Sequence, residues 1–268
     1  MKIKASNSAL IESLAHSIEK KENLSRNSYK KYAVRAMLAT MFLTLGTGIA
    51  FYISMYVDAI VPHAGKLFYA FMFSWSLVMI VYMNAELGTS NMMYMTSAVY
   101  NNKLRFLTAA KILAICIFFN FVGAVFFSWF MAQTNAFNHL PADNYLFEAV
   151  SAKLAKTPWT QFVEGIFANI VVNTAVFCTL RMKDDAGKVF SMVFIIFIFA
   201  FLGFEHVIAN FVSFSLAFFV NGGPVEGMNF LSVLSNFLFS GLGNYVGGGL
   251  VIGLLYSWLN RNSDMYVD

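Results

Sequence analysis

Six stretches of this chain are apolar for about as long as a helix needs to cross a bilayer, ~20 residues. They run from about Ala36–Val57, Leu67–Val99, Ile112–Ala132, Gln161–Leu180, Val189–Val220 and Leu231–Leu259, the second and fifth with an interruption. In hydrocarbon every main-chain N–H and C=O must be satisfied within the protein, so only helices and closed barrels can span. A barrel is built from short alternating strands, and these runs do not alternate. Only 12% of the residues are charged, against ~25% in a soluble domain. The expected fold class is therefore an all-α polytopic membrane protein with six transmembrane helices in a lipid bilayer.

The flanks of the runs set the orientation. The first 35 residues are polar, and too long and charged for a cleavable signal peptide. Within them Leu10, Ile11, Leu14 and Ile18 recur at helical spacing, which predicts a short amphipathic helix. Fifteen of the 18 Lys and Arg residues fall on one side of a six-span arrangement, against Lys66, Lys153 and Lys156 on the other. The positive-inside rule then places both termini in the cytoplasm, across the cell membrane. The expected division is a cytoplasmic tail at 1–35, a membrane domain at 36–259 and a second cytoplasmic tail at 260–268. The net charge of +4 is thus a topology signal, and no nucleic-acid partner is expected. Cys116 and Cys178 both lie inside spans as packing residues. They offer neither a disulfide framework nor a metal site. His206 is the one histidine inside the apolar runs, so a bis-histidine haem has no second ligand; no cofactor and no metal are expected.

The interruptions hold the informative residues. Span two carries "NAELGTSN" from Asn84 to Asn91, and span five carries "GFEHVIAN" from Gly203 to Asn210. Spans three and six carry "FNFVGA" and "GNYVGGG", each with Asn followed three residues later by Gly. Glu86 precedes Glu205 by 119 residues and Asn120 precedes Asn244 by 124. Spans one to three therefore read as a copy of spans four to six. An odd number of spans per copy inverts one against the other, giving a 3+3 inverted repeat with a discontinuous helix in each half. Irregular backbone at membrane depth requires burial in protein or a wet cavity. A helix that restarts there points its positive end inward, which favours an anion. Thr89 and Ser90 are expected to cap the half-helix beginning near Asn91. A buried carboxylate needs partners, and the expected pairs are Glu86 with Asn120 and Glu205 with Asn244. His206, at the second break, is the intramembrane group able to exchange a proton near neutral pH. The glycines of "LGTG" and "GNYVGGGLVIG" read as close helix packing.

Together, "AELGTSN", "GFEHVIAN" and "GNYVGGG", with support from "FNFVGA" and "FANIVVN", resemble the formate/nitrite transporter family from about Ala36 to Leu259. The resemblance implies an aquaporin-like fold and a homopentamer with one pore per protomer, passing small monovalent anions such as formate, nitrite, hydrosulfide or lactate. Carried over by position, His206 is similar to the family's central pore histidine and Thr89 to the facing loop threonine. Asn169 is similar to an asparagine lining the pore on the cytoplasmic side. Two apolar constrictions are implied at Leu77, twelve residues before Thr89, and at Phe199, seven before His206. Lys153 or Lys156 is implied as the basic residue that draws anions into the outer vestibule. The chain departs from the pattern at Gly88, where many members carry a bulky aromatic, and a wider or looser loop is expected there.

The function expected from all this is transport, not catalysis: a pathway for a small weak-acid anion, formate first and nitrite second, with protons exchanged at His206. A membrane redox subunit lacks a ligand pair for its cofactor. A neutral-solute pore of the aquaporin kind lacks the Asn-Pro-Ala signature, and all four prolines lie outside the spans.

Overall fold

The computed structural model describes residues 9–138, 140–141 and 144–260. No strand occurs among them. Helix α1 (Ala9–Asn27) and α2 (Tyr29–Ile60) meet at Ser28. Then follow α3 (Gly65–Tyr82), α4 (Gly88–Tyr100), α5 (Phe106–Ala132), the short α6 (Tyr145–Leu154) and α7 (Pro158–Arg181). The chain continues with α8 (Asp185–Leu202), α9 (Val207–Val220) and α10 (Phe230–Asn244). Helix α10 runs into a π-helical segment, Tyr245–Leu254, and ends as α11 (Leu255–Leu259). Six helices are long and apolar enough to cross a membrane: α2, α3, α5, α7, α8 and the run from Phe230 to Leu259.

Three features differ from the simplest reading of the apolar runs. First, α2 begins at Tyr29, seven residues before the run does. Hydropathy marks the edge of the bilayer, and nothing between Tyr29 and Arg35 breaks a helix. Second, α3 and α8 are not half-spans. Each has 18 residues, about 27 Å of rise, nearly the hydrocarbon thickness. The Tyr82 hydroxyl at the end of α3 donates to the Asp185 carbonyl at the start of α8, 3.2 Å away. Each long helix thus ends near the face opposite its start, and the chain turns back inward. The half-helices are α4 and α9, with 13 and 14 residues. Third, the sixth span is not a uniform α-helix. Its π-helical stretch coincides with Gly247, Gly248 and Gly249, where no side chains hold the α register.

Helix α1 packs on α2, α4 and α7. It buries Leu14 and Ile18, four residues apart on one face; the side chains of Leu10 and Ile11 lie outside the described residues, as do residues 261–268 of the C-terminal tail. The main apolar core joins α2, α3, α4, α5, α7, α8 and α9. A second cluster, around Phe51, Phe137, Leu146, Phe147 and Phe214, fills the face away from α1. Here α6 packs against α2, α9 and α10.

Candidate functional site

Two half-helices that start inside the protein leave main-chain donors with no partner of their own. Neighbouring spans supply the partners. Asn120, on α5, accepts the Gly88 N–H at 2.7 Å and donates to the Glu86 carbonyl at 2.9 Å and the Ala36 carbonyl at 2.7 Å. Asn244, at the end of α10, accepts the Val207 N–H at 2.8 Å and donates to the Glu205 carbonyl at 2.9 Å and the Gly165 carbonyl at 2.8 Å. Both asparagines are fully buried. So each asparagine does meet its glutamate, but at the main chain and not at the carboxylate. Thr89 and Ser90 do not cap α4: the N-cap position is Leu87, without a side-chain cap, and Asn120 reaches across from another span to do that work. A Cβ on Gly88 would lie 2.9 Å from both Asn120 Oδ1 and Ile117 Cγ1. The missing aromatic therefore leaves no slack; the space is filled by Asn120 and Ile117.

The carboxylates find cations instead. Glu205 accepts from Lys156 at 2.8 Å, Lys153 at 3.1 Å, Asn210 at 2.6 Å and Asn236 at 3.0 Å. Glu86 accepts from Lys21 on α1 at 2.7 Å and from Asn91 at 3.0 Å. Sequence reasoning missed Lys21, Asn236, Asn91 and Asn210. The last two carry a signal, since each stands five residues after its glutamate. Lys21 and Asn236 carry none.

His206 is the N-cap of α9, and its Nδ1 accepts the Ala209 N–H at 3.1 Å. A ring nitrogen that accepts carries no proton, so in the neutral ring the hydrogen is on Nε2. Nε2 lies 2.8 Å from Thr89 Oγ1. The histidine donates, the hydroxyl accepts, and the hydroxyl hydrogen stays free to donate to a third group. Adding a second proton to the ring would place it on Nδ1, against the Ala209 N–H. The Thr89 carbonyl is held in turn by Asn169 at 3.1 Å and Asn173 at 3.2 Å. Asn169 also donates to the Asn244 carbonyl at 2.7 Å. These two amides occupy the room that a side chain on Gly248 would need. The glycine of the sixth span thus admits the amides that position Thr89.

Three cavities line up across this site. One of about 370 Å³ opens on the α6 side; its wall includes Lys153, Lys156, Phe199 and His206. One of about 220 Å³ opens on the α1 side; its wall includes Lys20, Lys21, Glu86 and Leu77. Between them is a chamber of about 20 Å³, room for about one water. Phe199 and His206 stand in the walls of both the α6-side cavity and the chamber, and Leu77 in the walls of both the chamber and the α1-side cavity. Only Ser76 and His206 are polar among the chamber's lining side chains. Asn169 lines none of the three. It stands behind Thr89, because its amide is spent on main-chain carbonyls.

The two lysines of the α6 side differ. Burial pulls the Lys153 ammonium below its ordinary value, against the pull of Glu205. Lys156 is held above its ordinary value: burial works against it, but Glu205 and Glu164 outweigh that.

The geometry is two cavities with charged side chains in their walls joined through a small apolar chamber, and solved proteins share the fold that holds it. A solved "FNT family ion channel" superposes with a TM-score of 0.86 at 22% identity, covering 93% of this chain and 98% of that one. A solved "Pentameric formate channel with formate bound" superposes with a TM-score of 0.68 at 25% identity, over 86% of this chain and 98% of that one. The "Formate-nitrite transporter" of Plasmodium falciparum (isolate 3D7) is 31% identical over 223 residues, which are 78% of this chain and 72% of that protein. The sequence profile of the family described as "Formate/nitrite transporter" matches residues 8–258, and the chain belongs to that family of membrane transporters, which are not enzymes.

Proposed function

We propose that this protein carries small monovalent weak-acid anions across the cell membrane, formate first and nitrite second, through one pore in each protomer of a homopentamer. The observation that carries this reading is the pair of cavities joined at a chamber walled by Leu77, Phe199 and His206. A bare charge is strongly disfavoured in such a chamber. The anion gathers beside Lys153 and Lys156, takes up a proton that comes from the solution filling that cavity, and crosses the chamber as the neutral acid, which gives the proton up again on the far side. Where His206 relays that proton, Nδ1 takes one from solution as Nε2 gives one up, so that the ring ends neutral. For His206 itself to hold a second proton, the Ala209 N–H must first be released. The pentameric formate channel among the related structures supports both the substrate class and the assembly. The matched bonding of Asn120 and Asn244 supports reading the two halves as inverted copies. The distribution of Lys and Arg supports cytoplasmic termini, which makes the α1 side the inner side.

The test is flux into proteoliposomes of formate, nitrite, lactate and hydrosulfide at several pH values. Formate uptake that rises as the external pH falls, together with proton uptake, is the expected result. Water permeability without anion flux overturns the proposal.

A further inference from the structure

Three of the 18 basic residues, Lys66, Lys153 and Lys156, fall apart from the fifteen that set the orientation. All three stand in the wall of the α6-side cavity. They reach it from different places in the chain: Lys66 from the first turn of α3, Lys153 from α6 and Lys156 from the turn between α6 and α7. An ammonium has three N–H donors and no acceptor. The number already engaged therefore says how much of each lysine is left for a ligand.

Lys156 has no donor left. It donates to Glu164 at 2.5 Å, Glu205 at 2.8 Å and the Gly203 carbonyl at 2.9 Å. Lys153 has one left, after Glu205 at 3.1 Å and the Phe204 carbonyl at 3.3 Å. The charges of these two lysines also face two carboxylates, Glu205 and Glu164. Lys66 differs on both counts. It is exposed, and its ammonium makes neither an ion pair nor a hydrogen bond among the described residues. Its Nζ lies 5.5 Å from the centroid of the Phe201 ring on α8. Such a contact attracts a cation through the ring face and spends no lone-pair acceptor on it. Glu148 is the one carboxylate in the same wall, and it is not paired with Lys66. Asp58 accepts the Gly65 N–H at 2.7 Å and does not line the cavity.

We propose that Lys66 captures the anion at the mouth of the α6-side cavity and sets its apparent affinity, ahead of Lys153 and Lys156. The proposal rests on the transport reading above. Three free donors on a compact point charge suit the two oxygens of a small carboxylate or of nitrite, and the donors of Lys156 are already spent within the protein.

The experiment is uptake of labelled formate, at tracer and at saturating concentration, by phosphatidylcholine vesicles that hold the assembled protein. At about 0.01 M salt, where charges act over ~30 Å, Lys66→Gln is expected to lower tracer uptake about threefold or more, while Lys66→Arg keeps the wild-type rate. Near 1 M salt, where charges act over ~3 Å, the deficit is expected to vanish, and it is expected to close at saturating formate. Lys103→Gln, at an exposed position that lines none of the three cavities of the path, is expected to match wild type throughout. Wild-type tracer uptake by assembled Lys66→Gln at low salt overturns the proposal and leaves the transport reading standing. An equal deficit in Lys103→Gln also overturns it, because the charge of the whole protein then accounts for the effect. So does a deficit that stays the same at high salt and at saturation, because Lys66 then acts on passage and not on capture. Absence of saturable formate uptake by wild type overturns both readings.

Discussion

Thr89 Oγ1 and His206 Nε2, 117 residues apart in sequence, lie 2.8 Å apart in the buried centre of the protein. Their hydrogen bond has a direction. Ala209 N–H occupies the other ring nitrogen at 3.1 Å, so histidine donates to threonine. The hydroxyl hydrogen of Thr89 is left free to donate to a third group.

Thr89→Val keeps the shape and removes that hydrogen. Loss of one donor at a buried site is worth about 1–3 kcal/mol. Formate flux is expected to fall by roughly tenfold or more, with normal assembly on size-exclusion chromatography. Unchanged flux in well-assembled protein would reduce Thr89 to a packing residue.

Two His206 variants separate capping from proton exchange. Asparagine is a good N-cap, so His206→Asn is expected to keep near-native thermal stability while its formate uptake loses the wild-type pH profile. His206→Phe also loses the cap, at a cost of about 0.5–2 kcal/mol, and is expected to melt earlier. A wild-type pH profile in a folded His206→Asn protein rules out proton exchange at this residue.

Lys153 gives a second, alkaline handle. Burial holds its ammonium below the ordinary lysine value, so it loses its charge earlier as pH rises, and anion capture weakens with it. Arginine stays charged throughout. The ratio of formate flux in Lys153→Arg to that in wild type is therefore expected to climb with pH across the alkaline range. A flat ratio shows that Lys153 does not draw in the anion.

Asn120 and Asn244 predict the largest structural effects. Replacing either with Leu strands a half-helix N–H, costing about 1–3 kcal/mol when buried, and removes two further bonds to main-chain carbonyls. Thermal unfolding in detergent is expected to show severe destabilisation or failed assembly. Gly88→Phe is expected to behave similarly, since Asn120 and Ile117 fill the space. A stable, active Gly88→Phe protein would show that the α4 start can shift.

Orientation has its own check. A cysteine placed in the first ten residues is expected to resist membrane-impermeant labels applied outside intact cells, and to react once the cells are opened. Labelling from outside would invert the inner and outer assignment of the two cavities.

How much of this could be read without coordinates depends on the range of the forces involved. The number of spans follows from local runs of apolar side chains, because residence in hydrocarbon is decided segment by segment. The breaks at Glu86 and Glu205 were visible for the same reason: polar groups inside such runs need special backbone. Leu77 and Phe199 were implied as constrictions only by the family resemblance, and the structure puts both around one chamber with His206. What each polar group touches was another matter. That Lys21 answers Glu86 depends on α1 folding beneath α4. That Asn120 caps α4 and Asn169 holds the Thr89 carbonyl depends on how separate helices pack. Hydrogen bonds reach only about 3 Å, so their partners are chosen by packing between segments far apart in the chain, and only the tertiary structure decides that.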